Sequence, residues 1–326
     1  MVSKETDKRD KGTRNGSRRP IFALFIHGGL FVLIIAENIN IMSKTIGEAI
    51  RNREKKPVQE LAAELEKAGC HALDLNAGPA RKDGPELMEW LVTTVQEVTR
   101  LPLSLDTTNI EAIEAGLKVY RDLGGAPIIN SISVRPERMD ALLPVAVDTG
   151  ARAVALMLGV EGIPRDANER GVLLAEFLYR ASQAGFAETN IYVDPIVLPI
   201  SSQQEQLAAC TEFMTMLPEL APGVGSTCGV SNVSNGVTND LRPILNRTYT
   251  AMLMKLGLKS AIVNGLDPVT IDLMSGKRPD ITGIVGRVMD GETVDDGSLS
   301  GDERDFAKTT RVLLGKTIFS ESWLTI

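Results

Sequence analysis

Acidic and amide side chains stand where most of the short apolar runs of this chain end, and no Lys or His stands among them. They are Glu37-Asn38, Asp74, Asn76, Asp106, Asn130, Asp194 and Ser231-Asn232. Carboxylates accept hydrogen bonds, and amides both donate and accept them. Such a set suits a neutral, nitrogen-rich heterocycle that presents N–H donors and ring-nitrogen acceptors. Several carboxylates together would repel a phosphate.

Two other hypotheses compete with a heterocycle site. Asp and Asn are the commonest residues at strand ends and helix N-caps, so any one of them alone carries little weight. Six strand ends of the same chemical type favour a site instead. Oxygen-rich sites also bind Mg²⁺ or Ca²⁺, but barrels that use a metal in this way pair it with a Lys or His base. The sequence therefore predicts no resident metal.

The elements that position these residues follow an alternating pattern. Eight β-branched or Leu-rich runs recur at a step of about 32 residues, the size of a strand–helix unit. They are 33–36, 72–75, 103–106, 127–130, 153–158, 191–194, 227–231 and 260–263. The segments between them carry helical stripes such as Leu87, Leu91 and Val95, and a capping box at Thr108-x-x-Glu111 predicts a helix start. The pattern predicts an α/β fold, a (β/α)8 TIM barrel, with a doubly wound open sheet as the alternative.

Two segments stand apart from the predicted barrel of residues 32–326. Residues 1–19 hold seven basic and three acidic residues, and an apolar run follows from Ile21 to Ala36. The run is too short to span a membrane and lacks a cleavage site, so we expect residues 1–31 to be a disordered extension. Residues 275–303 are rich in Gly, Pro and acids, which predicts a long surface insertion before a last helix at about 302–315.

Composition excludes several function classes. The formal charge is −7 and aromatic residues make up only 4% of the chain, which disfavours nucleic-acid binding. Two histidines are too few for most His-based catalysis or zinc sites. The three cysteines form no C-x-x-C pair and suit a reducing cytoplasm. We therefore expect a cytoplasmic protein with no nucleic-acid or membrane partner.

Seven ordered blocks of the sequence resemble the methyltetrahydrofolate:corrinoid/iron–sulfur protein methyltransferases. They include LIIAENIN (33–40), ALDLNAGPA (72–80), LSLDTTNIEAIEAGL (103–117), YVDPIVLP (192–199) and GVSNVSNG (229–236), the last followed by RPILNRT (242–248). The resemblance is collinear from about Leu33 to Val263. It implies a pterin-binding, dihydropteroate synthase-like TIM barrel that forms a homodimer. It also implies a methyltransferase of one-carbon metabolism that acts on 5-methyltetrahydrofolate or tetrahydrofolate and on cobalamin. The cobalamin is carried by a partner corrinoid protein, which in the family's name is a corrinoid/iron–sulfur protein.

The resemblance also implies roles for individual residues. Asp194 would bind the 2-amino group and N3–H of the pterin, Asn130 the neighbouring edge, and Asp106 the N8–H side. Asn232 would approach N5, which carries the methyl group, and is the candidate catalytic residue. Ser231, Asn235 and Arg242 fall near the pterin and its hydrogen-bond network, although Asn235 stands where the family usually has Gln.

Two alternative functions stay open. The first is a dihydropteroate synthase-like pterin condensation, which needs a Lys and an Arg near the seventh and eighth strands for a pyrophosphate-bearing substrate. Arg242 alone is insufficient for that. The second is a non-catalytic folate-binding subunit, which would bind the pterin but have no methyl-transfer activity.

Overall fold

Eight parallel strands form one sheet that curls into a barrel. The structure is a computed structural model and describes residues 32–79 and 82–325. The strands are β1 Leu33–Asn40, β2 Ala72–Gly78, β3 Leu103–Thr107, β4 Ile128–Ser133, β5 Arg152–Leu156, β6 Ile191–Asp194, β7 Gly225–Ser226 and β8 Ser260–Val263. From β1 to β7 each strand pairs with the next one in sequence, and β1 also pairs with β8, so β7 and β8 are the two ends of the sheet. The predicted (β/α)8 barrel is confirmed, and the open-sheet alternative is wrong.

Helices follow the strands and cover the outside of the barrel. They are α1 Gly47–Arg51, α2 Lys55–Ala68, α3 Gly84–Gln96, α4 Ile110–Val119, α5 Pro136–Thr149, α6 Ala167–Ala184, α7 Ile200–Leu220, α8 Arg242–Lys255, α9 Pro268–Met274, α10 Pro279–Met289 and α11 Gly301–Leu313. The main hydrophobic core lies between this helical layer and the strands. Within the described part of the chain, no helix is long and apolar enough to cross a membrane.

Inside the barrel, the strand faces change from apolar to polar along their length. A small cluster of buried side chains fills the amino-terminal end and includes Ile35, Ala72 and Ile128. Side chains alternate along a strand with a period of two. The inward positions that follow are therefore Glu37 on β1, Asp74 on β2 and Asn130 on β4. Apolar side chains therefore fill the amino-terminal half of the barrel, and polar groups occupy its carboxyl end, as expected for this fold.

The seventh strand differs from its prediction. The sequence predicts a strand over 227–231, but β7 comprises only Gly225 and Ser226. A short 3-10 helix at Val230–Ser234 follows. The barrel closes through one bridge between Gly229 and Ile262, where the Ile262 amide donates to the Cys228 carbonyl at 2.9 Å. The Thr227 amide likewise donates to the Val193 carbonyl at 2.9 Å, so residues 227–229 bond to both neighbouring strands without forming a continuous ladder, a distinction that periodicity does not contain.

Two further expectations were wrong in detail. The helix after β3 is capped by Asn109, which accepts from the Ala112 amide at 3.2 Å, and not by a box beginning at Thr108. The acidic segment 275–303 is not a long loop, because α10 lies within it and buries Ile281, Ile284 and Val285. The predicted disordered extension, residues 1–31, lies outside the described residues.

Close helix packing depends on a glycine at position 116. A β-carbon on Gly116 of α4 would collide with the Leu105 side chain and lie 2.6 Å from Met88 Cγ. Gly283 of α10 offers a matched control, because it is exposed and a β-carbon there meets nothing within 4 Å. We expect Gly116→Ala to lower the free energy of unfolding by about 1–3 kcal/mol through overpacking.

The control should act in the opposite direction. Gly283→Ala should raise the free energy of unfolding by up to about 1 kcal/mol, since alanine is the better helix former. Urea denaturation of both variants measures the difference. Equal stability of the two variants would contradict this account of the α3–α4 contact.

Candidate functional site

A layer of polar side chains spans three neighbouring strands at the carboxyl end of the barrel. Asn76 on β2 lies in register with Asp106 on β3, which lies in register with Asn130 on β4. Asn76 donates its amide to Asp106, and Asn130 donates to Asp74 at 3.0 Å. The structure therefore brings the predicted residues Asp106 and Asn130 together, with Asn76 beside Asp106 on β2 and Asp74 two residues before Asn76 on the same strand.

The two carboxyl groups of this layer are buried beside each other. Burial raises the pKa of Asp74, and burial together with the negative charge of Asp74 raises the pKa of Asp106 well above its usual range. Two adjacent carboxylates without a cation between them cannot both ionise at little cost, so a proton on one favours ionisation of the other. When the pair holds one proton, it offers both an O–H donor and carboxylate acceptors to a ring with mixed polar edges.

Asp194 ends β6 on the other side of the barrel mouth. One oxygen accepts from the Ile196 amide at 2.8 Å, and the Gly229 amide also bonds to this carboxylate. Burial raises its pKa to about 6, an effect that these two amides and the nearby charge of Arg170 oppose. Asp194 is therefore a buried acceptor with few protein donors, and an ionised form gains from a ligand that brings N–H groups.

Glu37 connects the two sides of the mouth. It lies at a bulge in β1, where the pairing with β2 shifts register between Ala36 and Ile39. Bulges re-aim side chains and recur beside active sites. Ser231 donates its hydroxyl to Glu37 across 194 residues of sequence. Burial raises the pKa of Glu37 to about 7, and Ser231 opposes that shift.

A chain of hydrogen bonds fixes the orientation of Asn232. Arg242, the first residue of α8, donates to Ser234 Oγ at 3.1 Å and to Asn235 Oδ1 at 3.3 Å. Asn235 in turn donates its Nδ2 to Asn232 Oδ1 at 3.3 Å. Because the Arg242 guanidinium has donors only, Asn235 must accept that bond through its amide oxygen. The NH₂ group of Asn235 is then its donor, so Asn232 accepts through its own amide oxygen. Asn232 is exposed, and its Oδ1 is the atom that accepts from Asn235.

The seven predicted site residues thus fall into two groups around one barrel mouth. Asp106 and Asn130 lie on adjacent strands, whereas Ser231, Asn232, Asn235 and Arg242 lie together between β7 and α8. Asp194 joins the second group through its bond with Gly229. Glu37, Asp74 and Asn76 stood at strand ends in the sequence, but no role was assigned to them. Their position at the end of an apolar run was the sequence feature that could have identified them as site residues.

Among the described residues, no group of three or more His, Cys, Asp or Glu could hold a metal ion.

The raised pKa of Glu37 has a consequence for stability. As the pH rises from 4.5 to about 7, an unfolded Glu37 loses its proton before the folded one does, so stability falls over this range. Glu37→Gln removes that loss, and we expect it to unfold at higher temperature than the unchanged protein at pH 8 but not at pH 4.5. The difference should be about 1–3 kcal/mol.

Thermal unfolding across pH 4.5–8 measures this effect. Glu205→Gln removes an exposed carboxyl from α7 and serves as the control, with no expected change in pH dependence. If Glu37→Gln and Glu205→Gln follow the same curve, Glu37 does not titrate as its burial requires.

Comparisons with known proteins identify the family to which this fold belongs. The sequence profile of pterin-binding enzymes matches residues 39–264. The chain is 26% identical to methylcorrinoid:tetrahydrofolate methyltransferase of Eubacterium limosum, over 74% of this chain and 88% of that protein. It is 31% identical to methionine synthase of Mycobacterium tuberculosis over 72% of this chain. That match spans only 20% of the synthase.

Solved structures share the fold at low identity. Dihydropteroate synthase from Xanthomonas albilineans in complex with 7,8-dihydropteroate superposes with a TM-score of 0.55 at 18% identity, covering 77% of this chain and 95% of that one. Dihydropteroate synthase from Thermus thermophilus gives a TM-score of 0.56 at 19% identity, covering 76% and 95%. Since the matched profile covers more than half of the sequence, this chain belongs to the family of pterin-binding enzymes.

Proposed function

We propose that this protein transfers a methyl group between N5 of 5-methyltetrahydrofolate and the cobalt of a corrinoid carried by a partner protein. The observation that carries the proposal is the fixed polarity of Asn232. The chain Arg242–Asn235–Asn232 assigns the amide oxygen of Asn232 as an acceptor and leaves its NH₂ group as a donor. The name of the Eubacterium limosum relative supports the same chemistry. A homodimer and a cytoplasmic location stay predictions from the sequence.

The pterin would be recognised by its polar rim. The 2-amino group and N3–H form a paired donor, which suits the carboxylate of Asp194. The opposite edge would face Asp106 and Asn130, where the pair Asp74–Asp106 supplies acceptors and, when it holds one proton, an O–H donor. This arrangement places N5 near Asn232, on the side of β7 and α8.

Methyl transfer breaks the bond between N5 and the methyl carbon and leaves the bonding electron pair on N5. In the same step Co(I) of the partner's corrinoid, which acts here as a substrate, supplies the electron pair of the new cobalt–carbon bond and becomes Co(III), and N5 gains a proton from solvent. An amine anion is a poor leaving group, so N5 needs hydrogen-bond donation that grows as the charge develops. The amide of Asn232 supplies such a donor, and its stabilisation is selective for the transition state.

A condensation of the dihydropteroate synthase type has less support. It needs two free cations near β7 and β8, and Arg242 and Arg247 are the arginines at this position. Arg247 donates to both carboxylate oxygens of Asp267, at 2.7 and 2.8 Å, so its charge is neutralised. Arg242 alone is left for an anion.

Anaerobic spectroscopy tests the proposed function directly. Cob(I)alamin and 5-methyltetrahydrofolate are mixed with the protein, and the absorbance of Co(I) is followed, first with free cobalamin and then with a corrinoid protein. We expect faster loss of Co(I) than in the protein-free mixture. No acceleration with either cobalt source contradicts the proposal and favours a binding subunit.

Asn232→Ala should separate rate from affinity. We expect the methyl-transfer rate to fall about 10²–10³-fold, as for the loss of one preorganised donor. The dissociation constant for 5-methyltetrahydrofolate should change less than about 10-fold, because the pterin keeps its other partners. Stopped-flow kinetics and calorimetry measure the two quantities.

Asn190→Ala is the matched control for this variant. Asn190 precedes β6 at the amino-terminal end of the barrel and should affect neither quantity. Loss of affinity in Asn232→Ala as large as its loss of rate would assign Asn232 to ground-state binding instead.

Pterin affinity should depend on pH through Asp194. A bound N–H pair stabilises the ionised carboxylate, so binding lowers a pKa that is about 6 in the free protein. The affinity for 5-methyltetrahydrofolate should therefore rise between pH 5 and 7.5, by up to about 10-fold per unit below pH 6. In Asp194→Asn the affinity should be weak and independent of pH. Calorimetry at four pH values distinguishes these curves, and a flat curve for the unchanged protein refutes the assignment.

A further inference from the structure

A fully buried arginine, Arg170 of α6, contacts the loop that follows β6. Its Nε donates to the Pro195 carbonyl at 2.8 Å. Its other nitrogens donate at 3.1–3.4 Å to the carbonyls of Pro164 and Asp166 and to Gln206 Oε1. All four acceptors are neutral oxygens. Because a buried charge is costly unless it is compensated, we expect an opposite charge close to this guanidinium.

One peptide group, between Pro195 and Ile196, connects Arg170 with Asp194. Its carbonyl accepts from Arg170 Nε at 2.8 Å, and its N–H donates to Asp194 Oδ1 at 2.8 Å. Since this peptide is trans, the two groups point in opposite directions. The guanidinium and the carboxylate therefore lie at opposite edges of the same peptide. The positive end of the peptide dipole meets the carboxylate and the negative end meets the guanidinium, so each bond polarises the peptide in favour of the other.

The backbone at Ile196 indicates that this peptide is held from both edges. Ile196 has a φ of 63°, in the left-handed region that β-branched residues rarely adopt. Such a conformation is costly and persists only where the surrounding contacts determine it. The bonds to Arg170 and Asp194 are contacts of this kind, because together they fix the orientation of the peptide that precedes the Ile196 α-carbon.

The other titratable groups around Asp194 do not supply a positive charge. They are the thiols of Cys210 and Cys228 and the phenol of Tyr249. Burial raises the pKa of all three, so they are neutral at the pH of the experiments below. Next to Arg170 in sequence, the exposed Asp166 carboxylate accepts from the Glu169 amide, and the Glu169 carboxylate is paired with Arg165. Among the described groups that act on Asp194, the cation is therefore Arg170.

We propose that Arg170 is a positioning residue for the pterin-binding carboxylate of Asp194. It fixes the peptide between Pro195 and Ile196 so that the N–H points at Asp194 Oδ1, and its charge stabilises the ionised carboxylate. Because Arg170 is fully buried, it acts on a ligand only through Asp194. The ionised form is the one that accepts the paired N–H donors of a pterin. The role in pterin binding rests on the proposed function, whereas the coupling of Arg170 to Asp194 does not.

Arg170→Gln and Arg170→Lys separate the charge of Arg170 from its shape. Both variants lose the guanidinium, but only lysine keeps the positive charge. The pKa of Asp194 is about 6 with Arg170 in place. We expect it to rise by about one pH unit in Arg170→Gln, because an opposite charge that favours the ionised form is lost. In Arg170→Lys it should stay close to its original value.

Infrared spectroscopy across pH 4.5–8 follows the carboxylic C=O band of Asp194 without any ligand. The band is identified by its absence in Asp194→Asn. Arg165→Gln is the matched control, since it removes an exposed arginine beside α6 and should leave the midpoint unchanged. Anaerobic calorimetry with 5-methyltetrahydrofolate covers the same range. The affinity at pH 6, relative to that at pH 8, should fall about fivefold in Arg170→Gln.

Gln206→Glu tests the same charge without removing a buried side chain. It places a carboxylate where Gln206 Oε1 now accepts from Arg170 at 3.3 Å, and it should also raise the Asp194 midpoint. A midpoint that does not rise in Arg170→Gln, or that rises equally in Arg170→Lys, would overturn the inference. If Arg170→Gln does not fold, an unchanged midpoint in Gln206→Glu overturns it instead. If the midpoints move as expected but the protein binds no 5-methyltetrahydrofolate, the coupling of Arg170 to Asp194 stands and the proposed function fails.

Discussion

Buried carboxyl groups without directly bound cations are the constraint on which this site depends. An ionised carboxylate in a protein interior is costly unless donors or cations surround it. Here the donors are amides, hydroxyls and backbone N–H groups: Asn130 serves Asp74, Ser231 serves Glu37, and the Ile196 amide serves Asp194. These donors offset only part of the cost, and the pKa values of the three carboxyl groups are raised. The site is therefore short of N–H donors, and under the proposed function the pterin supplies them.

The short seventh strand determines where Asn232 lies. If the chain continued as a strand through residues 227–231, its polar side chains would alternate between the barrel interior and the helical layer. The chain turns instead into a 3-10 helix after the bridge at Gly229, which exposes Asn232 at the rim. The same turn brings Asn235 within reach of Arg242. The strand hydrogen bonds of the barrel are thus interrupted at the place where the proposed reaction needs a hydrogen-bond donor.

The two sides of the mouth have different chemical characters. Around Asp74 and Asp106 the carboxyl groups are deeply buried and their pKa values are raised by that burial, which suits recognition of a fixed ring edge. Around Asn232 the groups are neutral, more exposed and linked to Arg242, which suits a reaction at a nitrogen that an external protein must reach. Under the proposed function, this division lets one barrel bind a small planar ring at its centre while the reacting atom stays accessible at the edge.

The sequence by itself determined the number of strand–helix units, the acid and amide character of the mouth and the absence of Lys or His at the strand ends. These features are local, because periodicity and residue type are properties of short segments. Tertiary structure alone decided which side chains meet. The contact between Ser231 and Glu37 joins residues 194 positions apart, and the bond from Asn130 to Asp74 joins residues 56 apart. Such contacts depend on strand register, on the bulge in β1 and on barrel closure, none of which a local pattern contains. Burial and the pKa values that follow from it arise for the same reason, since they belong to the assembled barrel and to no single strand.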